Sequence, residues 1–202
     1  MTRRPRLAAL IGAVTVAILL AGCSSDPLAE QYREGSGKGF IAGDGSWTEI
    51  PADDRGAAVS WSGAIENGEP VSSADYAGEV VVLNFWYASC APCRAEAPDL
   101  QELSEEFDGQ GASFLGVNVR DRAANAIAFN KTYGITYPSV MDVEDGGLQL
   151  AFSGSIPPNA VPTTLVLDGS GRVAARILGR VSSPSILETL IADTIAEGKQ
   201  RG

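Results

Sequence analysis

Apolar and polar positions divide the central part of the chain into alternating strands and helices. The run Val80–Trp86 is almost entirely apolar and rich in β-branched residues, which is typical of a buried strand. In the segment that follows, Leu100, Leu103 and Phe107 recur at the spacing of one buried helical face. A buried strand is therefore expected to run directly into an amphipathic helix.

The same alternation continues towards the C-terminus. Residues 112–119 have the pattern of a second buried strand and residues 123–133 that of a helix, which we expect Asp121 to cap. Further strands are predicted at 137–141, 161–167 and 172–178, and a final helix at 185–196. This order of strands and helices predicts an α/β domain with a parallel βαβ core.

The N-terminal part of the chain has a different composition. Residues 24–47 are rich in Gly, Ser, Asp and Glu and lack periodicity, which predicts a flexible tether. Two short segments, 57–62 and 69–72, flank the turn sequence Asn67-Gly68 and predict a β-hairpin. The predicted organisation is a leader at 1–22, a tether at 23–48 and a single domain at 49–199.

The leader has the three parts of an export signal. Arg3, Arg4 and Arg6 precede an apolar run at 7–20, which is shorter than a membrane span. The small residues that close it, Leu20-Ala21-Gly22-Cys23, resemble a bacterial lipobox. That resemblance implies that Cys23 is lipidated and anchors the protein on the extracytoplasmic face of the cell membrane. The alternatives are an ordinary signal peptide cut nearby and an uncleaved anchor, and both still export the domain.

The charge of the chain excludes several classes of partner. The formal net charge is −10, and it becomes −13 when the three leader arginines are removed. A domain this acidic is unsuited to binding nucleic acid or to lying on anionic lipid through electrostatics. Acyl chains would have to hold it at a membrane.

The motif Cys90-Ala91-Pro92-Cys93 lies where the predicted strand gives way to the predicted helix. Pro92 suits a first helical turn, where no backbone N–H is needed. Free N–H groups and the positive end of the helix dipole stabilise a thiolate at such a position. We expect Cys90 to be the more exposed thiol and the nucleophile, and Cys93 to resolve the mixed disulfide it forms.

Other roles for the two cysteines are weaker. A disulfide that closes so short a loop restricts the unfolded chain little, by about 2 kcal/mol in the chain-entropy model. A zinc site needs about four ligands, and the chain has no histidine and only one further cysteine, Cys23. A C-x-x-C-H haem attachment is likewise unsupported, because Arg94 occupies the histidine position. No metal site is predicted.

Segments on both sides of the motif resemble the TlpA/ResA type of membrane-anchored thiol-disulfide oxidoreductase. The resemblance rests on Phe85 to Cys93 with Glu96 and Pro98, and on the stretches 117–121 (V-N-V-R-D), 133–138 (Y-G-I-T-Y-P) and 160–173 (A-V-P-T-T-L-V-L-D-G-S-G-R-V). It implies a thioredoxin-like fold, with a central mixed β-sheet flanked by helices and an N-terminal β-hairpin extension. It implies redox catalysis by the two cysteines without a cofactor.

The resemblance also assigns a substrate-binding surface. It implies that Pro162 follows a cis peptide bond and faces the disulfide, and that the backbone of Val161 pairs with an extended substrate. Trp86, Ser89 and Pro92 complete the predicted surface, and Pro157 and Pro158 are expected to shape the same groove or to form an ordinary rigid loop. From sequence statistics alone a trans bond is favoured, since about one X-Pro bond in twenty is cis.

Glu96 is the candidate general base. On a helix it lies one turn beyond Cys93, and its default interpretation is a solvated acid. The resembling proteins place a glutamate here, which implies that it accepts the proton of Cys93. The buried aspartate that thioredoxins use is replaced by Asn84, which we expect to be a hydrogen-bonded buried amide.

One position departs from the family pattern. Ser89 stands immediately before the first cysteine, where the family usually has tryptophan. We expect the missing indole to open Cys90 to solvent and to remove an apolar contact for the partner. The departure affects substrate choice and redox potential, while both cysteines and Pro162 are retained.

Reduction of disulfides in exported proteins, such as apocytochromes, is the leading activity that the resemblance implies, with a membrane thiol reductant as the electron donor. Disulfide oxidation or isomerisation is the first alternative. A peroxiredoxin-like peroxidase is the second, although it requires a threonine where Tyr87 stands. A metal-binding module such as a copper chaperone is the non-enzymatic alternative, and the absence of histidine counts against it.

Overall fold

A computed structural model describes residues 45–157 and 159–201. The strands are β1 (Ser46–Glu49), β2 (Ser62–Ala64), β3 (Pro70–Ser72), β4 (Val80–Trp86), β5 (Ala112–Asn118), β6 (Ser139–Met141), β7 (Thr163–Leu167) and β8 (Val173–Leu178). The helices are α1 (Ala91–Phe107), α2 (Ala123–Tyr133), α3 (Gly147–Ala151) and α4 (Pro184–Arg201), with a 3₁₀ turn at Ser73–Tyr76.

Six strands form one mixed sheet in the order β1-β8-β7-β4-β5-β6. β4 lies inside the sheet, where it pairs in parallel with β5 and antiparallel with β7. All seven residues of β4 are buried, which is expected of a strand covered on both faces. The predicted α/β architecture with a parallel βαβ core is confirmed.

The side chains of β4 alternate between two apolar cores. Val81, Leu83 and Phe85 belong to the core that also contains Trp61 and Phe152, on the side of the hairpin and α3. Val80 and Val82 belong to the opposite core, which is built with residues of α1 and α4. This two-sided burial fixes the end of β4, and therefore the point at which the cysteine motif begins.

The first strand corrects the predicted boundary between tether and domain. β1 pairs antiparallel with β8, from Ser46 opposite Leu178 to Glu49 opposite Ala175. The predicted boundary at residues 48 and 49 falls inside this strand, so the sheet begins earlier than the sequence indicates. All four residues of β1 are exposed at the sheet edge, and an exposed edge strand need not alternate apolar and polar residues.

The predicted hairpin is present, but its first strand lies at Ser62–Ala64 and shares only Ser62 with the predicted segment 57–62. β2 pairs with β3 from Ser62 opposite Ser72 to Ala64 opposite Pro70, and Gly68 has a φ of 90° in the turn. Glu66 ties this hairpin to the sheet edge, because its carboxylate accepts from Asn130 Nδ2 at 3.0 Å and from the Ser139 N–H at 2.7 Å.

Other differences are local. α2 matches its predicted bounds, α4 is longer than predicted at both ends, and the short helix α3 was not predicted. In the part of the chain that the structure describes, no helix is long and apolar enough to cross a membrane. The predicted leader, Cys23 and most of the predicted tether lie outside the described residues.

Candidate redox site

Cys90 and Cys93 form a disulfide at the junction of β4 and α1. Their sulfur atoms are 2.04 Å apart and their Cα atoms 5.3 Å apart. Cys90 is the N-cap of α1, and the Cys93 N–H donates to Cys90 Sγ at 3.2 Å. Pro92 occupies the first turn of the helix. The helix N-terminus is thus directed at the sulfur of Cys90, as the motif predicts.

The exposure predicted for Cys90 is wrong in the disulfide form. Cys90 is 0% exposed and Cys93 2% exposed, whereas Ser89 is exposed. The two cysteines belong to a buried apolar cluster that includes Tyr87 and Val161. The serine at position 89 therefore does not leave the disulfide open to solvent, because neighbouring apolar side chains supply the cover.

Pro162 lies beside the end of β4. The register pairs Phe85 with Thr163, so the residue before Thr163 lies next to the end of β4 from which the cysteine loop leaves. The Val161–Pro162 bond is cis, as the family resemblance implies. The Pro162 carbonyl accepts from the Gly179 N–H at 2.9 Å, while Pro158, expected near this groove, lies outside the described residues.

Glu96 is buried, which overturns its default interpretation as a solvated acid. Its side chain is 0% exposed and accepts two hydrogen bonds, from Asn84 Nδ2 at 2.9 Å and from the Val181 N–H at 2.8 Å. Asn84 also donates to Thr164 Oγ1 at 3.1 Å, which confirms it as a hydrogen-bonded buried amide. Burial raises the pKa of Glu96 to about 7, although both hydrogen bonds oppose that rise.

A small cavity lies behind Cys93. Its volume is about 10 Å³, which is close to the space that one water molecule needs, and Asn84 and Tyr137 help to line it. Burial raises the pKa of Tyr137, with a smaller contribution from the negative charge of Glu96. The Tyr137 hydroxyl therefore stays protonated beside the cavity at any physiological pH.

Trp86 lies beneath the cysteine loop. It is 4% exposed, its ring centroid is 4.3 Å from that of Phe129, and its indole N–H donates to Ser139 Oγ at 3.2 Å. A direct contact between Trp86 and a substrate would require this packing to open. The other predicted surface residues lie at the ends of the elements around the disulfide: Ser89 and Pro92 at the start of α1, and Pro162 directly before β7.

Asp121 has a different role from the predicted helix cap. The N-cap of α2 is Arg122, whose side chain makes no capping hydrogen bond. Asp121 Oδ2 instead accepts from the Ala88 N–H at 2.6 Å and from Asn118 Nδ2 at 2.9 Å. Its carboxylate therefore holds the loop that leads to Cys90.

Two neighbours of Asp121 complete this attachment. Asn118 Oδ1 accepts from the Asp121 N–H at 2.7 Å and from the Arg120 N–H at 3.1 Å. The guanidinium carbon of Arg120 lies 4.5 Å from the ring centroid of Tyr87. The sequence signal for the contact between Asp121 and Ala88 is the stretch V-N-V-R-D, which ends β5 at the same edge of the sheet as the end of β4.

Among the described residues, no group of three or more His, Cys, Asp or Glu side chains is placed to hold a metal ion. The polar groups around the disulfide instead donate hydrogen bonds to the carboxylates of Glu96 and Asp121.

Comparison with known proteins agrees with this geometry. The model of the AhpC/TSA family matches residues 56–176. The thiol-disulfide oxidoreductase ResA of Geobacillus thermodenitrificans is 35% identical over 116 residues, which are 57% of this chain. The chain spans 64% of the length of that relative.

Two solved structures cover more of the fold. A DsbF homologue from Corynebacterium diphtheriae is 37% identical with a TM-score of 0.65, over 76% of this chain and 97% of that one. A secreted thiol-disulfide isomerase from Corynebacterium glutamicum is 33% identical with a TM-score of 0.67, over 77% and 96%. The chain therefore belongs to the AhpC/TSA family, in its TlpA/ResA-like group of proteins with a thioredoxin-like fold.

Proposed function

We propose that this protein is a thiol-disulfide oxidoreductase that exchanges its Cys90–Cys93 disulfide with cysteine pairs of exported proteins. The observation that carries the proposal is the disulfide at the N-terminus of α1, with a buried carboxylate one helical turn further on. The names of the ResA, DsbF-like and isomerase relatives support the same chemistry.

In the reducing direction, the Cys90 thiolate attacks one sulfur of a substrate disulfide. The substrate disulfide breaks, a mixed disulfide forms and one substrate thiolate leaves. The Cys93 thiolate then attacks Cys90 Sγ, releases the second substrate thiolate and closes the protein disulfide. Two electrons pass from the protein to the substrate, and the reverse sequence oxidises a substrate dithiol.

Glu96 is the proposed base for the second attack. The Cys93 thiol must lose its proton before it can attack, and a carboxylate whose pKa is about 7 can accept a proton and release it near neutral pH. Cys93 and Asn84 both line the small cavity, and the Asn84 amide donates to the Glu96 carboxylate. We propose that Glu96 receives the Cys93 proton on this buried side of the disulfide.

The proposed substrate surface surrounds the disulfide. Ser89 precedes Cys90 and Pro92 lies between the two cysteines, while Val161 and Pro162 lie beside the end of β4. An extended substrate segment would pair with the backbone of Val161 as an added strand. Because both cysteines are buried in the disulfide form, binding must displace part of the apolar cover before exchange.

Reduction of selected exported proteins, apocytochromes among them, is the proposed direction, with a membrane thiol reductant as the electron donor. The ResA relatives favour this direction through the family resemblance. Oxidation or isomerisation is the second candidate, and the name of the secreted isomerase from Corynebacterium glutamicum favours it. Both candidates use the same cysteine pair and differ in its reduction potential.

We propose an extracytoplasmic location with a lipid anchor at Cys23. The leader at 1–22 and the secreted relative support export, and the small residues before Cys23 support lipidation. The segment from Cys23 to the start of β1 would then act as a tether between membrane and domain.

The reduction potential of the cysteine pair tests the proposal and separates its two directions. The protein would be equilibrated in defined thiol buffers, and its free thiols trapped and counted. A potential near or below about −250 mV supports a reductant, and one of about −120 to −180 mV supports an oxidant or isomerase. A Cys90→Ser variant serves as the control. The proposal is wrong if the pair does not exchange with the buffers, or if the variant keeps full disulfide-exchange activity.

A further inference from the structure

Four exposed arginines lie around the redox site. β5 runs parallel to β4. β7 runs antiparallel to both β4 and β8, so β8 also runs in the direction of β4. The carboxyl ends of β4, β5 and β8 therefore lie at the same end of the sheet. Arg94 follows β4 within α1, Arg120 and Arg122 follow β5, and Arg180 follows β8. All four are exposed, and we name them the arginine collar.

The collar is close to the reacting groups. Arg94 is the residue after Cys93, and the Arg120 guanidinium lies over Tyr87, three residues before Cys90. Arg180 precedes the residue whose N–H binds Glu96, and its positive charge acts to lower the pKa of Glu96 against the effect of burial. The collar therefore spans the loops on both sides of the disulfide.

Three of these guanidinium groups form no salt bridge with an acid among the described residues. The salt bridges of the described residues that engage arginine involve Arg55 and Arg172, at the other end of the sheet, and none involves Arg94, Arg122 or Arg180. Asp121, the acid between two collar residues, has its carboxylate bound by the Ala88 N–H and the Asn118 amide.

Negative charge is concentrated elsewhere in the domain. Asp75 and Glu79 precede β4, Asp108 ends α1 and Asp168 ends β7, all at the opposite end of the sheet. At the redox end, the half-buried Asp99 of α1 is close enough to Glu96 to raise its pKa, and the exposed Glu144 and Asp145 follow the edge strand β6. The chain carries a formal net charge of −10, so a basic rim around its redox site is not a consequence of overall composition.

We propose that the arginine collar recognises acidic side chains that flank the cysteine of an extended substrate segment. The inference rests on the proposed function and adds its substrate class. Successive residues of an extended chain rise about 3.3 Å, so residues two to four positions from the substrate cysteine come within reach of arginine side chains at the rim. Complementary charge at such a rim raises the rate of productive encounter and excludes substrates of like charge.

The test compares three peptides that differ only beside a single cysteine, with Asp, Asn or Lys as the flanking residues. The full-length protein in its disulfide form, held in a neutral detergent, reacts with each peptide, and the second-order rate of mixed-disulfide formation is measured. Each rate is divided by that of the same peptide with a small neutral disulfide, which removes the effect of the flanks on the thiol itself. We expect the Asp peptide to react about tenfold faster than the Lys peptide at low salt, and the ratio to approach one near 0.5 M salt.

The double variant Arg94→Gln with Arg122→Gln locates the effect. It should lose most of the Asp-over-Lys preference and keep its rate with the Asn peptide within about twofold. The matched control, Lys131→Gln with Lys199→Gln, makes the same change in net charge on α2 and α4 away from the collar, and should keep the preference.

The possible failures can be told apart. Equal rates for the Asp and Lys peptides, with a normal rate for the Asn peptide, overturn the collar and leave the oxidoreductase proposal standing. An equal loss of preference in the control variant also overturns it, because net charge rather than position would then be responsible. If even the Asn peptide fails to exchange with the disulfide, both proposals are wrong.

Discussion

Glu96 and Asp168 are both buried carboxylates, and they lie at opposite ends of the sheet with opposite surroundings. Asp168 accepts from the side chains of Arg55 and Arg172 and from the backbone N–H groups of Ser170 and Arg172. Burial would raise the pKa of Asp168, but these hydrogen bonds outweigh it and the pKa is lowered. Glu96 accepts hydrogen bonds from an amide and a backbone N–H; burial outweighs these bonds and the charge of Arg180, and its pKa is raised to about 7.

The difference indicates why one acid is structural and the other is available for chemistry. A carboxylate that is held by cations stays ionised and fixes the loop around it. A carboxylate that is desolvated and held by neutral donors can gain or lose a proton near pH 7 at little cost. Mutating each acid should therefore damage a different property of the protein.

The largest expected effect is the loss of stability in Asp168→Asn. This substitution leaves the Arg55 side chain, which is 2% exposed, without the charge of one carboxylate partner. We expect the free energy of unfolding to fall by about 3 kcal/mol, measured by urea denaturation. The exposed Asp193→Asn is the matched control and should change it by less than about 0.5 kcal/mol. A loss below about 1 kcal/mol in Asp168→Asn would contradict the structural role.

Glu96 should make the stability of the protein fall as pH rises. Its pKa rises from 4.5 to about 7 on folding, so between these values the folded state holds a proton that the unfolded state has released. The stabilisation is complete below about pH 4.5 and is lost as pH rises to about 7, with a total near 3 kcal/mol. Urea denaturation at about pH 5 and pH 8 should show this loss in the natural protein and not in Glu96→Gln. Parallel pH profiles would show that Glu96 does not titrate in this range.

The same variant should slow the resolving step. Without a base for Cys93, the release of substrate from the mixed disulfide should fall about a hundredfold near pH 7, as is usual when a general base is removed. Rapid-mixing measurements on a preformed mixed disulfide at Cys90 isolate this step. Asp168→Asn, measured on the folded fraction, is the control and should keep the natural rate. If the rate in Glu96→Gln stays within threefold, Glu96 is not the base.

The parts of the structure that sequence predicted are those encoded locally. β4, α1 and α2 follow from runs of apolar residues at strand or helix spacing, and the position of the cysteines follows from the junction of two such runs. β1 was missed because an exposed edge strand carries no such pattern, and its pairing joins residues 46–49 to 175–178, far apart in the chain.

The candidate site was predicted less completely, for a related physical reason. Cysteine spacing is local, but the burial of Cys90 depends on side chains such as Val161 that only the folded sheet brings near. The contact between Asp121 and the Ala88 N–H joins residues 33 positions apart, and the local rule for helix capping pointed to another role. Residue type indicated that these side chains are polar or reactive, and topology decided what they contact.

Asp121 is a third carboxylate that extends this comparison. As with Glu96, its hydrogen-bond donors are neutral, but it lies beside the loop that leads to Cys90. In Asp121→Asn the amide oxygen can still accept from the Ala88 N–H, while the negative charge near the cysteines is removed. A thiolate is then easier to form, so the reduced protein is stabilised and the reduction potential should rise. We expect a rise of about 10 to 20 mV, equivalent to about 0.5 to 1 kcal/mol for a two-electron couple.

Thiol-buffer titration measures this shift, and a second variant separates charge from hydrogen bonding. Asp121→Ala removes the charge as well and leaves the Ala88 N–H without its acceptor, which should lower the free energy of unfolding by a further 1 to 3 kcal/mol or so relative to Asp121→Asn. Asp121→Glu keeps the charge and should keep the natural potential. If all three variants have the natural potential, the carboxylate holds the loop without influencing the redox pair. Its role would then resemble that of Asp168 more than that of Glu96.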